Sequence, residues 1–370
     1  MAAKNITILG IDTSCDDTSV ALVKIQDTKY KILSNVISSQ VKLHAKYGGV
    51  FPSLAKREHQ KNLPAVFKEV LEEAGLLTLG GSTSREISRE VEPLKIDFIA
   101  VTAGPGLEPC LWQGINFAKE IAKKYKKPLI PVNHIEAHIL ANLIVRSRTP
   151  LKIEWSPTPH NLPAVALVVS GGHTQLILIR KIGQYKLIGE TRDDAAGECF
   201  DKVARILGLG YPGGPIISQL AAKVAGEQFS REGELFSVKL PRPMMYTKDY
   251  DFSFSGLKTA VLYRVKQGNY DKIEMCHEVQ QSIIDVLIHK TIKAAKDFGV
   301  KSIILGGGVA ANEELRRQFY LNLKSKILNL NFLVPPKNLC TDNAAMVATA
   351  AFFHRAEKVK DIKADANLRI

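Results

Sequence analysis

ITILGIDTSCDDTSVALV, residues 6–23, is an apolar run, a tight turn of small and polar residues, and a second apolar run. Short apolar runs rich in β-branched residues and bounded by Gly, Ser, Asp and Thr read as strands, and two of them joined by a tight turn read as a hairpin. The pattern returns at 164–179 as AVALVVSGGHTQLILI. These hairpins read as equivalent openings of two similar halves. Between them come a helical stretch, AVFKEVLEEAG (65–75), a strand, IDFIAVT (96–102), the turn AGPGLEP (103–109), a helix near 111–125, and a strand, PLIPV (128–132). Strands alternating with amphipathic helices predict an α/β protein.

In the second half, KSIILGGGVAANEELRRQF (301–319) is strand, glycine turn and helix, with Asn312 placed to cap the helix. TDNAAMVATAAFFHRA (341–356) is the last recognisable element, with Thr341 or Asp342 as its expected cap. Residues 77–95 and 144–162 read as polar surface insertions.

The 370 residues, 45% of them apolar, suffice for two domains with real cores. No apolar run approaches the roughly 20 residues of a membrane span, and the first residues enter a strand pattern rather than a signal-peptide core. The expectation is a soluble, cytoplasmic protein with no membrane partner. Five scattered cysteines without a CxxC pair make neither a zinc knuckle nor a disulfide framework, and are expected as reduced thiols.

The net charge is +13, and it clusters: residues 116–152 hold eight Lys/Arg against two Asp/Glu, and 42–68 hold six against one. Such clusters suit a polyanion. Solvated helix faces produce them too, so charge by itself does not establish a nucleic-acid partner.

VNHIEAHIL (132–140) places His134 and His138 four apart after a strand, with Asn133 as N-cap. That spacing puts both imidazoles on one helical face, within reach of one ion. The positive helix end favours their neutral forms, as metal ligation requires. A pair of packed or surface histidines fits the same spacing. A zincin peptidase needs a glutamate directly after the first histidine, where this chain has Ile135; Glu136 projects roughly 200° round the helix from His134. The best third ligand is Asp342, giving two histidines and a carboxylate, a set that suits Fe(II) or catalytic Zn(II). Local sequence leaves Asp342 equally able to be an N-cap.

GIDTSCDDTS, VVSGGHT and LGGGVAAN are glycine turns after strands, where backbone amides can approach a phosphate. None fits GxxxxGK[ST] or GxGxxG. Asp16 and Asp17 in the first turn would repel a triphosphate, which favours a less charged ligand.

Seven motifs in order carry a resemblance: GIDTSCDDT (10–18), NHIEAH (133–138), VSGGHT (169–174), DDAAGECFDKVARILGLGYPGGP (193–215), FSFSGLKTA (252–260), LGGGVAAN (305–312) and TDNAAM (341–346). Together they resemble the TsaD family, the tRNA N6-adenosine threonylcarbamoyltransferases of the actin/Hsp70/sugar-kinase (ASKHA, RNase H-like) superfamily, in its bacterial or organellar branch. The resemblance implies two actin-like domains with a nucleotide cleft between them, expected at 1–133 and 134–341, with a helix at about 342–358 completing the first.

It further implies that His134, His138 and Asp342 hold one divalent metal, Fe(II) ahead of Zn(II), and that Val168, Val169, Ser170, Gly171, Gly172, Asp201, Gly214 and Asn312 contact the adenylate. The implied reaction transfers threonylcarbamoyl from threonylcarbamoyl-AMP to N6 of adenosine 37, in the anticodon loop of tRNAs reading codons that begin with A. TsaB-like and TsaE-like proteins are the implied partners. Cys199 stands where the family commonly has alanine. For the general base at N6, Asp12, Asp16, His173 and Glu198 are all candidates. Tyr47 and Phe51 are candidate stacking surfaces, or core residues. The rival readings are a small-molecule carbamoyltransferase of the same fold and an ATPase-like regulatory subunit.

Overall fold

The computed structural model describes residues 5–26, 29–76, 96–144, 161–226, 238–268, 270–325, 330–357 and 361–370. In chain order these form β1 (Asn5–Asp12), β2 (Asp17–Gln26), β3 (Lys29–Ser39), a short α1 (Val41–His44), α2 (Pro52–Glu73), β4 (Phe98–Gly104), α3 (Glu108–Tyr125), β5 (Leu129–Asn133) and α4 (His134–Leu140). Then follow β6 (Ala164–Val169), β7 (Thr174–Lys181), β8 (Gln184–Glu190), α5 (Ala196–Ile206), α6 (Gly213–Gly226), α7 (Ser255–Gln267), α8 (Lys272–Asp297), β9 (Ser302–Gly306), α9 (Glu313–Ser325), β10 (Asn331–Leu333) and α10 (Ala344–His354).

Both hairpins form where the sequence placed them. Each opens a five-stranded mixed sheet, of order β3-β2-β1-β4-β5 in one case and β10-β9-β6-β7-β8 in the other. With β6–β10 read as β1–β5, the two orders coincide: the first three strands pair antiparallel and the last two add in parallel. The central strands are covered on both faces, which is why runs such as FIAVT (98–102) replace an in-out alternation. Ile8, Leu9, Ile11, Ile303, Ile304 and Leu305 are all fully buried.

The chain divides into two compact units, Met1–Lys42 with Val50–Ser156 and Asp342–Ile370, and Leu43–Gly49 with Pro157–Thr341. Residues 134–144 thus fall with the first unit, whereas the resemblance placed a boundary after 133. The reason is packing: all seven residues of α4 are buried, and α4 lies against α10 and β4 of that unit. The expected insertion 77–95 lies outside the described residues, as do residues 145–160 of the other. Among the described residues no helix is long and apolar enough to cross a membrane.

α10 reaches the first sheet through small residues. A Cβ at Gly10 would stand 2.2 Å from the Ala344 carbonyl oxygen and 3.1 Å from the Ala348 Cβ, so glycine facing alanine allows the close approach. The final residues also run along this unit: Asp365 N–H donates to Ala103 O at 2.9 Å, and Lys119 Nζ to Ile362 O at 2.8 Å.

α2 is longer than the stretch legible in the sequence, starting at Pro52 with Pro64 inside it. Pro52 suits a first helical turn, where its missing N–H would find no partner anyway. The last helix is capped by Asn343, whose Oδ1 accepts from Met346 N–H at 3.1 Å, and not by the expected Thr341 or Asp342. That leaves the Asp342 carboxylate available to a different task.

Candidate metal centre

The chain turns from β5 into α4 at Asn133, whose Oδ1 accepts from Ile135 N–H at 2.9 Å and Glu136 N–H at 3.2 Å. Its amide nitrogen donates to Arg369 O at 3.2 Å. The expected cap is therefore present, and the C-terminal residues orient it. His134 and His138 project from successive turns, ring centroids 4.6 Å apart.

Asp342, two residues before α10, meets them: its Oδ1 is 3.4 Å from His134 Nε2 and 3.2 Å from His138 Nε2. One donor atom from each of the three lies within 4.8 Å of the others. Ligands about 2.1 Å from a shared ion stand about 3.0–3.4 Å apart at octahedral or tetrahedral angles, so the two imidazole–carboxylate spacings fit one divalent metal. His138 is 1% exposed, yet neither of its ring nitrogens makes a hydrogen bond. A buried imidazole whose one polar neighbour, Asp342 Oδ1 at 3.2 Å, is not aligned as a hydrogen-bond partner is costly, and an ion beside Nε2 would resolve it. All three ligands belong to the first unit.

The electrostatics agree. Burial alone would depress the His134 imidazolium, but the carboxylates of Asp342 and Asp12 outweigh it and raise the group to about 9. Asp12 Oδ2 lies 3.5 Å from His134 Nδ1. Burial also works to raise Asp342, and the facing histidines hold it well below the carboxylate range. His138 is lowered, by burial and then by the neighbouring imidazole charge. The neutrality expected from the helix end thus holds for His138 alone; at His134 two carboxylates at close range exceed a partial charge spread over a helix turn. Carboxylates that favour an imidazolium favour a metal cation equally.

Asp12 is fully buried and raised by that burial, with Ser14 N–H donating to its Oδ1 at 3.1 Å. It therefore stands beside the candidate ligand His134. Asp16, by contrast, lies in the turn itself, its carbonyl accepting from Gln40 N–H at 3.1 Å. Asp17 is pushed up to about 7, chiefly by burial. Sequence reasoning missed His59, a fully buried residue of α2. Its Nε2 lies 2.9 Å from the Cys15 carbonyl oxygen and its Nδ1 2.8 Å from Thr18 Oγ1. A carbonyl only accepts, so Nε2 carries the hydrogen and Nδ1 accepts from the threonine. His59 thereby clamps the first turn from below. A lone histidine on a mostly polar helix gave no signal of this.

In the second unit, the turn after β6 closes with Ser170 N–H donating to His173 O at 2.8 Å and His173 N–H to Ser170 Oγ at 3.1 Å. α5 docks on it: Gly197 N–H donates to Ser170 O at 3.2 Å, and a Cβ at Gly197 would stand 2.5 Å from that oxygen. Asp201 Oδ1 accepts from Gly213 N–H at 2.7 Å, which brings it beside Gly214. Asn312 caps α9 as expected, accepting from Leu315 N–H at 2.9 Å while its amide donates to Gln280 Oε1 at 2.8 Å.

The glycines fall into two kinds. At Gly197, Gly213 and Gly307 an added Cβ would meet backbone at 2.3–2.9 Å, so these serve packing. At Gly171, Gly172 and Gly308 nothing lies within 4 Å, and at Gly214 the nearest atom is 3.8 Å away. Those four present bare backbone to open space. Val168 and Val169 are fully buried strand residues behind the turn. Glu198 accepts from Ala195 N–H at 3.3 Å and pairs with Lys202 at 2.9 Å, a role at the start of α5.

All five cysteines are free thiols. Burial pushes Cys110 and Cys199 up to about 12 and Cys276 to about 11, with Cys15 also raised well above the ordinary thiol value. None is disposed to form a thiolate nucleophile.

Two duplicated sheets of this order define an α/β protein of the actin-like (ASKHA) class, with two histidines and one carboxylate that could hold a metal ion. The sequence profile of the TsaD family, tRNA N6-adenosine threonylcarbamoyltransferase, matches residues 31–349, and the chain belongs to that family. The tRNA N6-adenosine threonylcarbamoyltransferase of Thermosipho africanus is 45% identical over 349 residues, covering 93% of each chain. That of Persephonella marina is 46% identical over 348 residues, covering 93% of this chain and 89% of its own. In fold, the chain is similar to component A of the (R)-2-hydroxyglutaryl-CoA dehydratase of Acidaminococcus fermentans, with a TM-score of 0.51 at 17% identity over 95% of this chain and 100% of that one.

Proposed function

We propose that this protein transfers the threonylcarbamoyl group of threonylcarbamoyl-AMP to N6 of adenosine 37 in tRNAs reading codons that begin with A. The N6–carbonyl bond forms, the bond from that carbonyl to the phosphate oxygen breaks with its electron pair leaving on AMP, and the N6 proton passes to a base or to water. The observation that carries the reading is the convergence of His134, His138 and Asp342 in a chain of the TsaD family. A divalent metal held by those residues, Fe(II) ahead of Zn(II), would supply Lewis acidity to the threonylcarbamoyl carbonyl.

The mixed anhydride already carries a good leaving group, so the chain's own work is to hold and orient two reactants. The open backbone at Gly171, Gly172, Gly214 and Gly308 suits the AMP phosphate and adenosine, and Asp201 and Asn312 shape the turns that present it. Both of Asn312's side-chain ends are engaged within the protein, which supports a shaping role over direct contact. Among the candidate bases, Asp12 has its Oδ2 3.5 Å from His134 Nδ1.

For the anticodon loop, Lys42, Lys56, Arg57, Lys61 and Lys68 of the first unit are all exposed, as is Lys46 of the second, which suits phosphate contact, and Tyr47 and Phe51, 56% and 51% exposed, are the candidate stacking surfaces. TsaB-like and TsaE-like partners and a cytoplasmic setting complete the proposal.

The test is to incubate the purified protein with threonine, bicarbonate, ATP, an adenylate-forming enzyme, the TsaB-like and TsaE-like partners and unmodified tRNA, then weigh the nucleoside at position 37. Modification that requires this chain and is lost in a folded His138→Ala variant is expected. Full modification by that variant would remove the metal from the reaction.

A further inference from the structure

Glu136 lies between the two histidine ligands in sequence and has no part in the donor set. It projects from the opposite side of α4, and at 3% exposure it is a buried carboxylate. Its Oε2 accepts from His354 Nε2 at 2.7 Å, and the other His354 nitrogen donates to Glu357 Oε1 at 2.7 Å. His354 is the last residue of α10, the helix that begins two residues after Asp342. The two chain segments that supply the metal ligands are therefore also tied to each other by a second, independent contact.

A seven-residue helix holds its own conformation poorly, and its rotation about its axis must be set by what grips it. Besides the packing of its buried residues, α4 is held by polar contacts on two sides, by the Asp342 carboxylate in front and by His354 behind. A few degrees of rotation would swing both imidazoles away from Asp342 together, because both extend from the same face.

We propose that Glu136 and His354 are positioning residues of the metal centre, their buried bond fixing the rotation of α4 so that His134 and His138 aim Nε2 at the site shared with Asp342. This rests on the metal-centre reading above and extends it to residues that touch neither metal nor substrate.

The test uses the full metal-free chain with Co(II) as probe, reading affinity by chelator competition and ligand geometry from the cobalt absorption bands. Wild type should bind one Co(II), and His138→Ala should not bind with comparable affinity. His354→Ala should bind 10–100-fold more weakly, the range typical of lost outer-sphere support, with altered band positions. Glu136→Gln, which keeps a hydrogen-bond acceptor for His354, should stay close to wild type. Because His354→Ala strands a buried carboxylate, the double variant Glu136→Leu with His354→Leu provides a folded comparison with an apolar contact in its place. It should retain thermal stability and still show the weakened, shifted cobalt site. Wild-type affinity and spectrum in the double variant would overturn the positioning role while leaving the metal centre intact; absence of Co(II) binding by wild type would overturn both.

Discussion

Gly307 and Gly308 are neighbours in one glycine run, and the structure predicts opposite consequences for the same substitution. Gly307 has φ +86°, and a Cβ there would stand 2.3 Å from Val169 O and 2.7 Å from Val169 C. Val169 cannot yield, because β6 and β9 are hydrogen-bonded neighbours in the middle of their sheet, in register through Val168 and Gly306. With ψ 165°, Gly307 lies in a backbone region that essentially only glycine enters, costing an alanine about 1–3 kcal/mol, and forcing a methyl into closed space costs about 1–3 kcal/mol. Gly307→Ala should therefore lose about 2–6 kcal/mol, a large share of the roughly 5–15 kcal/mol that holds a typical protein folded.

At Gly308 no atom lies within 4 Å of an added Cβ and φ is not left-handed. Gly308→Ala should be neutral or gain about 0.4–1 kcal/mol, by reducing the freedom of the unfolded chain. Urea unfolding followed by far-UV circular dichroism checks both, and hydrogen exchange at the β6 and β9 amides assigns the loss to the second unit. AMP titration of Gly308→Ala by calorimetry adds the functional half, with weakened binding and unchanged stability expected. Equal stability of the two variants, or a loss above about 2 kcal/mol at Gly308, would refute the division of the glycines into packing and ligand-facing kinds.

The His354 imidazole, held charged first by its bond to Glu136, is raised to about 9 from an ordinary 6.5, and NMR titration of the ring should find it there. Because the folded value is the higher, the pair stabilises fully below pH 6.5 and the contribution fades as pH rises through 9; after allowance for solvent screening of a side chain 21% exposed, it is on the order of 1–2 kcal/mol. The stability gap between wild type and His354→Gln should accordingly narrow from pH 6 to pH 9.5. Asp193 accepts from Phe254 N–H and Ser255 N–H and from both serine hydroxyls at 253 and 255, which hold it at about 2. Asp193→Ala should destabilise the start of α7 by about 1–2 kcal/mol, read as faster amide exchange at 254–258 with β6 unaffected.

Much of the fold was legible because its signals are local. Residues 6–23 and 164–179 carry the apolar periodicity and turn chemistry of hairpins within themselves, and Asn133 and Asn312 reach amides only two or three residues away. Less regular elements were harder to delimit: the first turns of α2 are polar, with a proline following, and the end that caps α10 offered Thr341, Asp342 and Asn343 in succession. Choosing Asn343 depends on which side chain the packing turns inward.

By itself the sequence determined two equivalent α/β halves and one helical face bearing two histidines, since both follow from periods of two and 3.6 residues along a few turns of chain. Only the tertiary structure decided that Asp342, some 200 residues on, comes within 3.4 Å of both imidazoles, that His354 grips Glu136, and that Gly307 is closed while Gly308 is open. Those relations depend on how distant segments pack, and no local pattern of residues records a distance across a folded core.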